Sequence, residues 1–403
     1  MKFKMTPDKL MIALFAIVLL VIPITTLALP KSDRSENENR TLAKFPSLVN
    51  QTKLNKAQTL DEVIQAIKWN YITERGGASY MDDFETYFSD HLAGRELWVK
   101  ASNRMSTAVG KDEINGVYTV DGRMMESFRG YDENEVQRSI DAVNAFAEKY
   151  PDIPMYFMLA PTSLEIYKSR LPSYSGVTSE KAFMDECYEK LVNVNCVNAL
   201  SYLSGRADEY IYYRTDHHWT SLGAYYAYTA LARPLGFTAI SLNSFNIETA
   251  SSSFRGTLYS KTLDDSIEPD TIEYYFLADG EPKVTLTRIN GDEVETFDSL
   301  YVREYLETKD KYSSFTGSNV PIVTIETDAD SGRELLIIKD SYAHSLVPFL
   351  SKHFSKITMV DLRYINTDLN RFITVSDYDS ILFAYNVIGF CSESYLKKLA
   401  LTS

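Results

Sequence analysis

Asp216, His217, His218 and Trp219 stand side by side in Tyr213-Arg-Thr-Asp-His-His-Trp-Thr220, and Ser341 ends the apolar run of Leu335-Leu-Ile-Ile-Lys-Asp-Ser-Tyr-Ala-His344. A hydroxyl is a weak nucleophile until a neighbouring base takes its proton, and an imidazole does this well only when a third group fixes its tautomer. A carboxylate, an imidazole and a strand-end serine are the parts of such an acyl-transfer triad. Asp216 lies two residues before His218, a spacing at which a turn brings the carboxylate to the imidazole Nδ1–H. His217 and His218 cannot face the same way, so one of them is the base, and His218 is the candidate. Ser341 follows a strand and opens a helix, where free backbone N–H groups stabilise an oxyanion. Asp340 is placed to brace that turn, and Trp219 to pack the Asp-His turn down.

The same residues have plainer readings. Asp216 with His217 and His218 could ligate a metal, but adjacent histidines rarely converge on one ion and neither HxxxH nor HxH occurs, so no metal is expected. The Asp-His-His-Trp turn could be structural, and a serine opening a helix is most often a cap. His344 and His353 read as surface or packing residues.

The elements that must position these residues follow from periodicity. Met155–Leu159, Leu335–Ile338, Ile357–Leu362 and Ile381–Tyr385 are short continuous apolar runs separated by helical stretches such as Glu133–Tyr150, Ser345–Phe354 and Ser392–Leu401. That alternation predicts an α/β fold with a parallel sheet covered on both faces, whose ligands bind beyond the carboxyl ends of the strands. Ser341 sits at one such end. Thr162, Arg363, Tyr364 and Asn386 sit at the others and are candidates for oxyanion or substrate contacts, together with the adjoining Tyr342 and Tyr385. The plain alternatives are a surface salt bridge for Arg363 and a turn for Asn386. Ile272–Leu277, Lys283–Ile289 and Val294–Tyr301 alternate polar and apolar positions, with turns at Asp279-Gly280 and Asn290-Gly291, which predicts an antiparallel β-rich insertion over 240–330 overhanging the site. Gly116–Met125 reads as a hairpin turning at Asp121-Gly122. Tyr80–Val109 has helical spacing, with Phe84, Phe88, Leu92 and Leu97 on one side. The expected organisation is an anchor over 1–30, an irregular stalk over 31–79 and a catalytic domain over 80–403 that includes the insertion.

Composition narrows the class. The 403 residues carry a formal net charge of -14, which argues against nucleic acid and against docking of the main domain on anionic lipid. The first nine residues are basic, and Leu10–Leu29 is apolar except for Thr25 and Thr26. About 20 such residues span a bilayer. An uncleaved anchor is favoured over a signal peptide, since Thr26-Leu27-Ala28 fits a cleavage site only loosely. The flanking lysines place the N-terminus in the cytoplasm and the rest outside. Cys187, Cys196 and Cys391 form no metal-binding CxxC pattern; pairing of Cys187 with Cys196 and three free thiols both remain open.

At Asp216–Trp219 and Lys339-Asp-Ser-Tyr342 the chain resembles the DHHW protein family of Gram-positive bacteria, relatives of the SGNH-like acetyltransferases of alginate O-acetylation. Further matching stretches are Glu38–Pro46, Phe84–Arg95, Asn115–Gly122, Phe254-Arg-Gly-Thr-Leu-Tyr-Ser-Lys261, Asp361–Tyr364 and Tyr385-Asn386. The resemblance implies an SGNH-hydrolase-like catalytic domain with Asp216, His218 and Ser341 as triad. It implies no cofactor, a polysaccharide as acceptor, and an acetyl donor delivered by a multi-spanning membrane O-acyltransferase. Lys339 departs from the pattern, standing where a Gly-Asp-Ser block has glycine. A carbohydrate esterase and a non-catalytic polysaccharide-binding protein are the alternatives.

Overall fold

The structure, a computed structural model, describes residues 6–73, 79–329, 331–392 and 394–402. The ends of the expected stalk and insertion, at 74–78 and 330, the first five residues of the basic leader, and residue 393 of the last helical stretch lie outside the described residues. The chain forms two compact units, Met1–Lys111 and Asp112–Ser403.

In the first unit, helix α1 (Pro7–Ala28) has a mean hydropathy of 2.8 and is long and apolar enough to cross a membrane. It widens to π geometry over Ile17–Val21, just before Pro23, whose missing N–H and bulky ring disturb the preceding turn. The stretch after it is not wholly irregular. Arg34–Ser35 pairs with Arg40–Thr41, and Arg40 and the Ala43 N–H both bind the Asp90 carboxylate. The expected single helix over 80–109 is two: α2 (Tyr80–Asp90), capped by Ser79, and α3 (Arg95–Ala108). Gly94 at φ 68° ends the continuity, because only glycine enters that left-handed region cheaply. Leu97 consequently leaves the shared apolar side and is 72% exposed.

In the second unit, Val117–Val120 and Arg123–Glu126 form the expected hairpin, turning on Asp121 and Gly122 at φ 50° and 70°. Helix α4 (Glu133–Lys149), capped by Asp132, buries Val136, Ile140, Val143, Phe146 and Ala147. The eight-stranded sheet contains β1 (Met155–Ala160), β2 (Asn195–Val197), β3 (Val284–Asn290), β4 (Glu293–Phe297), β5 (Ile322–Thr327), β6 (Glu334–Lys339), β7 (Lys356–Val360) and β8 (Ser380–Asn386). Their spatial order is β4-β3-β5-β7-β6-β8-β1-β2. The four apolar runs are neighbouring parallel strands, β7-β6-β8-β1, buried as their continuous hydrophobicity requires.

The sheet is mixed rather than all parallel. The 240–330 segment is not a freestanding subdomain: β3, β4 and β5 extend the central sheet antiparallel beyond β7. Among the described residues of the segment, Phe245–Phe254 and Asp270–Leu277 form a separate ribbon. The chain leaves β6 for β7 on one side and later returns to β8 on the other. In α/β sheets such a reversal is where ligands bind, and here it falls at the carboxyl end of β6, directly before Ser341. Helices α5 (Glu180–Lys190), α6 (Ser221–Ala232) and α7 (Ala343–Leu350) complete the framework.

Candidate active site

The Asp-His-His-Trp turn is held by its own backbone. Tyr212 bridges Trp219, the Thr220 N–H donates to the Ile211 carbonyl at 3.0 Å, and Thr220 Oγ1 caps α6 through the Gly223 N–H. Gly223 is needed for space, since a Cβ there would collide with the Ile211 carbonyl. On the other side, β6 delivers Ser341 into the turn that opens α7. Asp340 braces this turn as expected, with Oδ1 accepting from the Tyr342 N–H at 2.9 Å.

These two segments meet. His218 Nε2 lies 2.7 Å from Ser341 Oγ, and His218 Nδ1 lies 2.6 Å from Asp216 Oδ1. Asp216 Oδ1 also accepts the His218 backbone N–H at 3.0 Å, and Oδ2 accepts the Thr257 N–H at 2.8 Å and hydroxyl at 3.1 Å. Burial would raise the Asp216 carboxyl, but the two imidazoles and the Thr257 N–H overcome it and hold the group ionised, well below the carboxylate range. Burial pushes His218 down to about 4, with His217 adding to the fall and Asp216 opposing it, so the imidazole is a neutral acceptor at pH 7. Ser341 is partly exposed while Asp216 and His218 are buried. The geometry is that of a hydroxyl offered to substrate with its base and orienter shielded behind it.

His217 faces elsewhere, with Nδ1 2.6 Å from Thr257 Oγ1. The ligand atoms of Asp216, His217 and His218 lie within 4.8 Å of one another, a spacing that could hold a metal ion. In this arrangement, however, both His218 nitrogens and His217 Nδ1 already face protein oxygens. Trp219 does more than pack. Its Nε1–H faces the Tyr342 carbonyl at 3.1 Å and Ser345 Oγ at 2.9 Å, while the Tyr342 hydroxyl donates to the His217 carbonyl. The two segments are thus cross-braced in both directions.

Other candidate residues sit less favourably. Tyr342 and Tyr385 are 1% and 4% exposed, leaving almost no surface for a substrate. Thr162 is buried, caps the short helix Ser163–Ile166, and binds Glu180 through its N–H at 2.7 Å and its hydroxyl. Asn386 directs its backbone N–H and side-chain amide at Asp340 Oδ2, at 2.6 and 2.7 Å, so it supports the serine turn rather than facing an oxyanion. The Ser341 N–H makes no hydrogen bond to another described residue. Arg363 grips Asp361 with Nε at 2.9 Å and Nη2 at 2.6 Å, and Tyr364 is exposed beside it. All three cysteines are free thiols.

Several residues in the site carry no motif of their own. Tyr312 lies flat on the His218 ring, with centroids 3.7 Å apart and planes 9° from parallel. Its hydroxyl reaches the Ser341 carbonyl at 3.1 Å and Ser345 Oγ at 3.0 Å. Gly256 and Thr257 cradle Asp216; they belong to the Phe254–Lys261 stretch, whose likeness to the family signalled importance without revealing a role. Lys339 is fully buried yet satisfied, with Nζ 2.9 Å from Asn319 Oδ1, 2.8 Å from His344 Nε2 and 3.2 Å from Asp361 Oδ2. His344 is therefore a buried polar residue. His353, stacked on Phe237, is a packing one.

Among curated proteins none matches this chain. Among solved structures it resembles a DHHW family protein from Eubacterium siraeum, at 30% identity and a TM-score of 0.64, covering 72% of this chain and 97% of that one. It also resembles Bacillus cereus PatB1 carrying a sulfonyl adduct, at 20% identity and a TM-score of 0.61, covering 71% and 98%. A more distant likeness is the O-acetyltransferase domain of Pseudomonas putida AlgJ, at 13% identity and a TM-score of 0.42, covering 70% and 98%. The DHHW protein profile matches residues 114–360, a span that holds both the Asp-His-His-Trp turn and Ser341. With that match over more than half its length, the chain belongs to the DHHW family.

Proposed function

We propose that this protein is an extracytoplasmic O-acetyltransferase that passes an acetyl group through Ser341 to a hydroxyl of a cell-surface or exocellular polysaccharide. The observation that carries the reading is the unbroken hydrogen-bond line from Ser341 Oγ through His218 to Asp216, at 2.7 and 2.6 Å. Ser341 Oγ attacks the donor carbonyl while His218 Nε2 takes its proton, and Asp216 stabilises the imidazolium. The Ser341 N–H and the amino end of α7 face the developing oxyanion. The tetrahedral species collapses, and the leaving group takes the proton from His218. A sugar hydroxyl then gives its proton to His218 and attacks the acyl-serine, and Ser341 Oγ is reprotonated as it leaves. Arg363, which follows β7 at the same end of the sheet as Ser341, positions donor or acceptor. The donor is supplied by a multi-spanning membrane O-acyltransferase, and α1 anchors the enzyme beside it.

An acetyl-ester assay with and without added oligosaccharide tests this. Transfer of the acetyl group to sugar is expected, and S341A should abolish it. Hydrolysis without transfer would make the protein an esterase. Activity surviving S341A would end the triad assignment.

A further inference from the structure

Helix α3 is amphipathic the wrong way round for a soluble unit. Its apolar stripe, Leu97, Trp98, Ala101, Met105 and Ala108, faces solvent, with Leu97 and Met105 at 72% and 71% exposure. On its other side Arg95, Glu96, Lys100, Asn103 and Ser106 are half-buried. Arg95 pairs with Glu38, and Glu96 accepts from Asn37 at 2.8 Å. A solvated helix would place these faces in the opposite sense, because exposing the stripe forgoes the burial that stabilises it. The polar contacts fix the orientation, so the stripe is presented outward.

The place of α3 says what covers the stripe. The Ala93 N–H donates to Thr26 Oγ1 at 2.9 Å, and His91 Nε2 contacts the Ser32 carbonyl at 3.1 Å. Thr26 lies in the last turn of α1, which for a 22-residue span is the headgroup level. The start of α3 is thus tied to that level, and the Trp98 Nε1–H bonds the Ala93 carbonyl at 3.2 Å. Tryptophan prefers this depth, where its ring is apolar and its N–H is satisfied. The helix also carries Arg95, Lys100 and Arg104 against Glu96 alone, a basic element in an acidic protein. From these juxtapositions we infer that α3 lies in the interface of the bilayer that α1 crosses, its Leu97–Trp98–Met105 stripe among the acyl chains and its exposed Arg104 among anionic headgroups. The anchor then has two parts, one spanning and one lying flat.

The test uses the full chain in vesicles of mixed zwitterionic and anionic phospholipid, with acyl chains brominated near the headgroup. In a W69F background only Trp98 and the buried Trp219 remain. The emission that W98F removes should fall about twofold or more on bromination and be shielded from aqueous acrylamide. L97E/M105E, both at exposed positions, should abolish the quenching while the protein still floats with the vesicles. Trp98 unquenched by bromolipid and open to acrylamide in floating wild type would overturn the inference and leave the stripe to a protein partner. Failure of the wild type to float would remove the anchor and the inference with it. None of these readouts depends on acetyl transfer, which is scored separately.

Discussion

Gly256 offers the sharpest perturbation of the site. Its backbone, at φ -85° and ψ -157°, is open to any L-residue, so glycine is not there for conformational freedom. It is there for space. A Cβ would stand closer than 3.0 Å to three atoms of the Asp216 side chain: Cβ, Cγ and Oδ2. Asp216 cannot retreat without losing the Thr257 N–H at 2.8 Å or lengthening its 2.6 Å bond to His218. Relief therefore requires a shift of roughly 1 Å at the orienting carboxylate, and misplacement on that scale costs about 10²-fold in rate. Overpacking adds about 1–3 kcal/mol of destabilisation. With a chromogenic acetyl ester, G256A should lower kcat about 10²-fold while circular dichroism shows a folded protein with a reduced Tm. Thr257→Ala, which keeps the backbone N–H, should cost far less. A folded G256A enzyme with wild-type kcat would refute the argument that this contact sets the position of Asp216.

Removing the Tyr312 ring with Y312A exposes His218 to water. Its acid limb in kcat/KM, expected near pH 4 because the base works only when neutral, should move up towards 6.5, whereas Y312F should leave it in place. Glu180, which burial pushes up to about 7, binds its proton more tightly folded than unfolded. Stability should therefore fall as pH rises from about 4.5 to 7, by up to roughly 3 kcal/mol, and E180Q should flatten that slope in denaturant titrations. Lys339→Met leaves Asp361 with Arg363 as its remaining close cation and should cost roughly 3 kcal/mol in urea unfolding.

The parallel strands and the residues of the Ser341–His218–Asp216 hydrogen-bond line could be read in the sequence because their signals are local. Four continuous apolar runs specify buried strands, and a serine after one of them needs only a base nearby. Asp216 and His218 announce themselves by spacing. The supports were not legible for the opposite reason. Tyr312 is one of 28 tyrosines, and nothing in its neighbours marks it as the ring that covers His218. The antiparallel character of β3–β5 was visible, but not its docking against β7, because alternation describes a strand's two faces and not its partners. Asn386 and Tyr342 sit at the expected strand and helix ends. Their hydrogen bonds turn them inward, and no local pattern encodes that choice. The break at Gly94 escaped a reading based on apolar spacing, which runs smoothly across it.

The imidazole and the hydroxyl are 123 positions apart along the chain, and Asp340 beside the hydroxyl is gripped by Asn386, a further 46 positions on. A ribosome that has made the Asp-His turn has made no reactive group, and one that has just made the serine has not yet secured it. Unfinished or clipped chains should therefore be chemically inert, and reactivity should arrive only when the last strand of the sheet slots home.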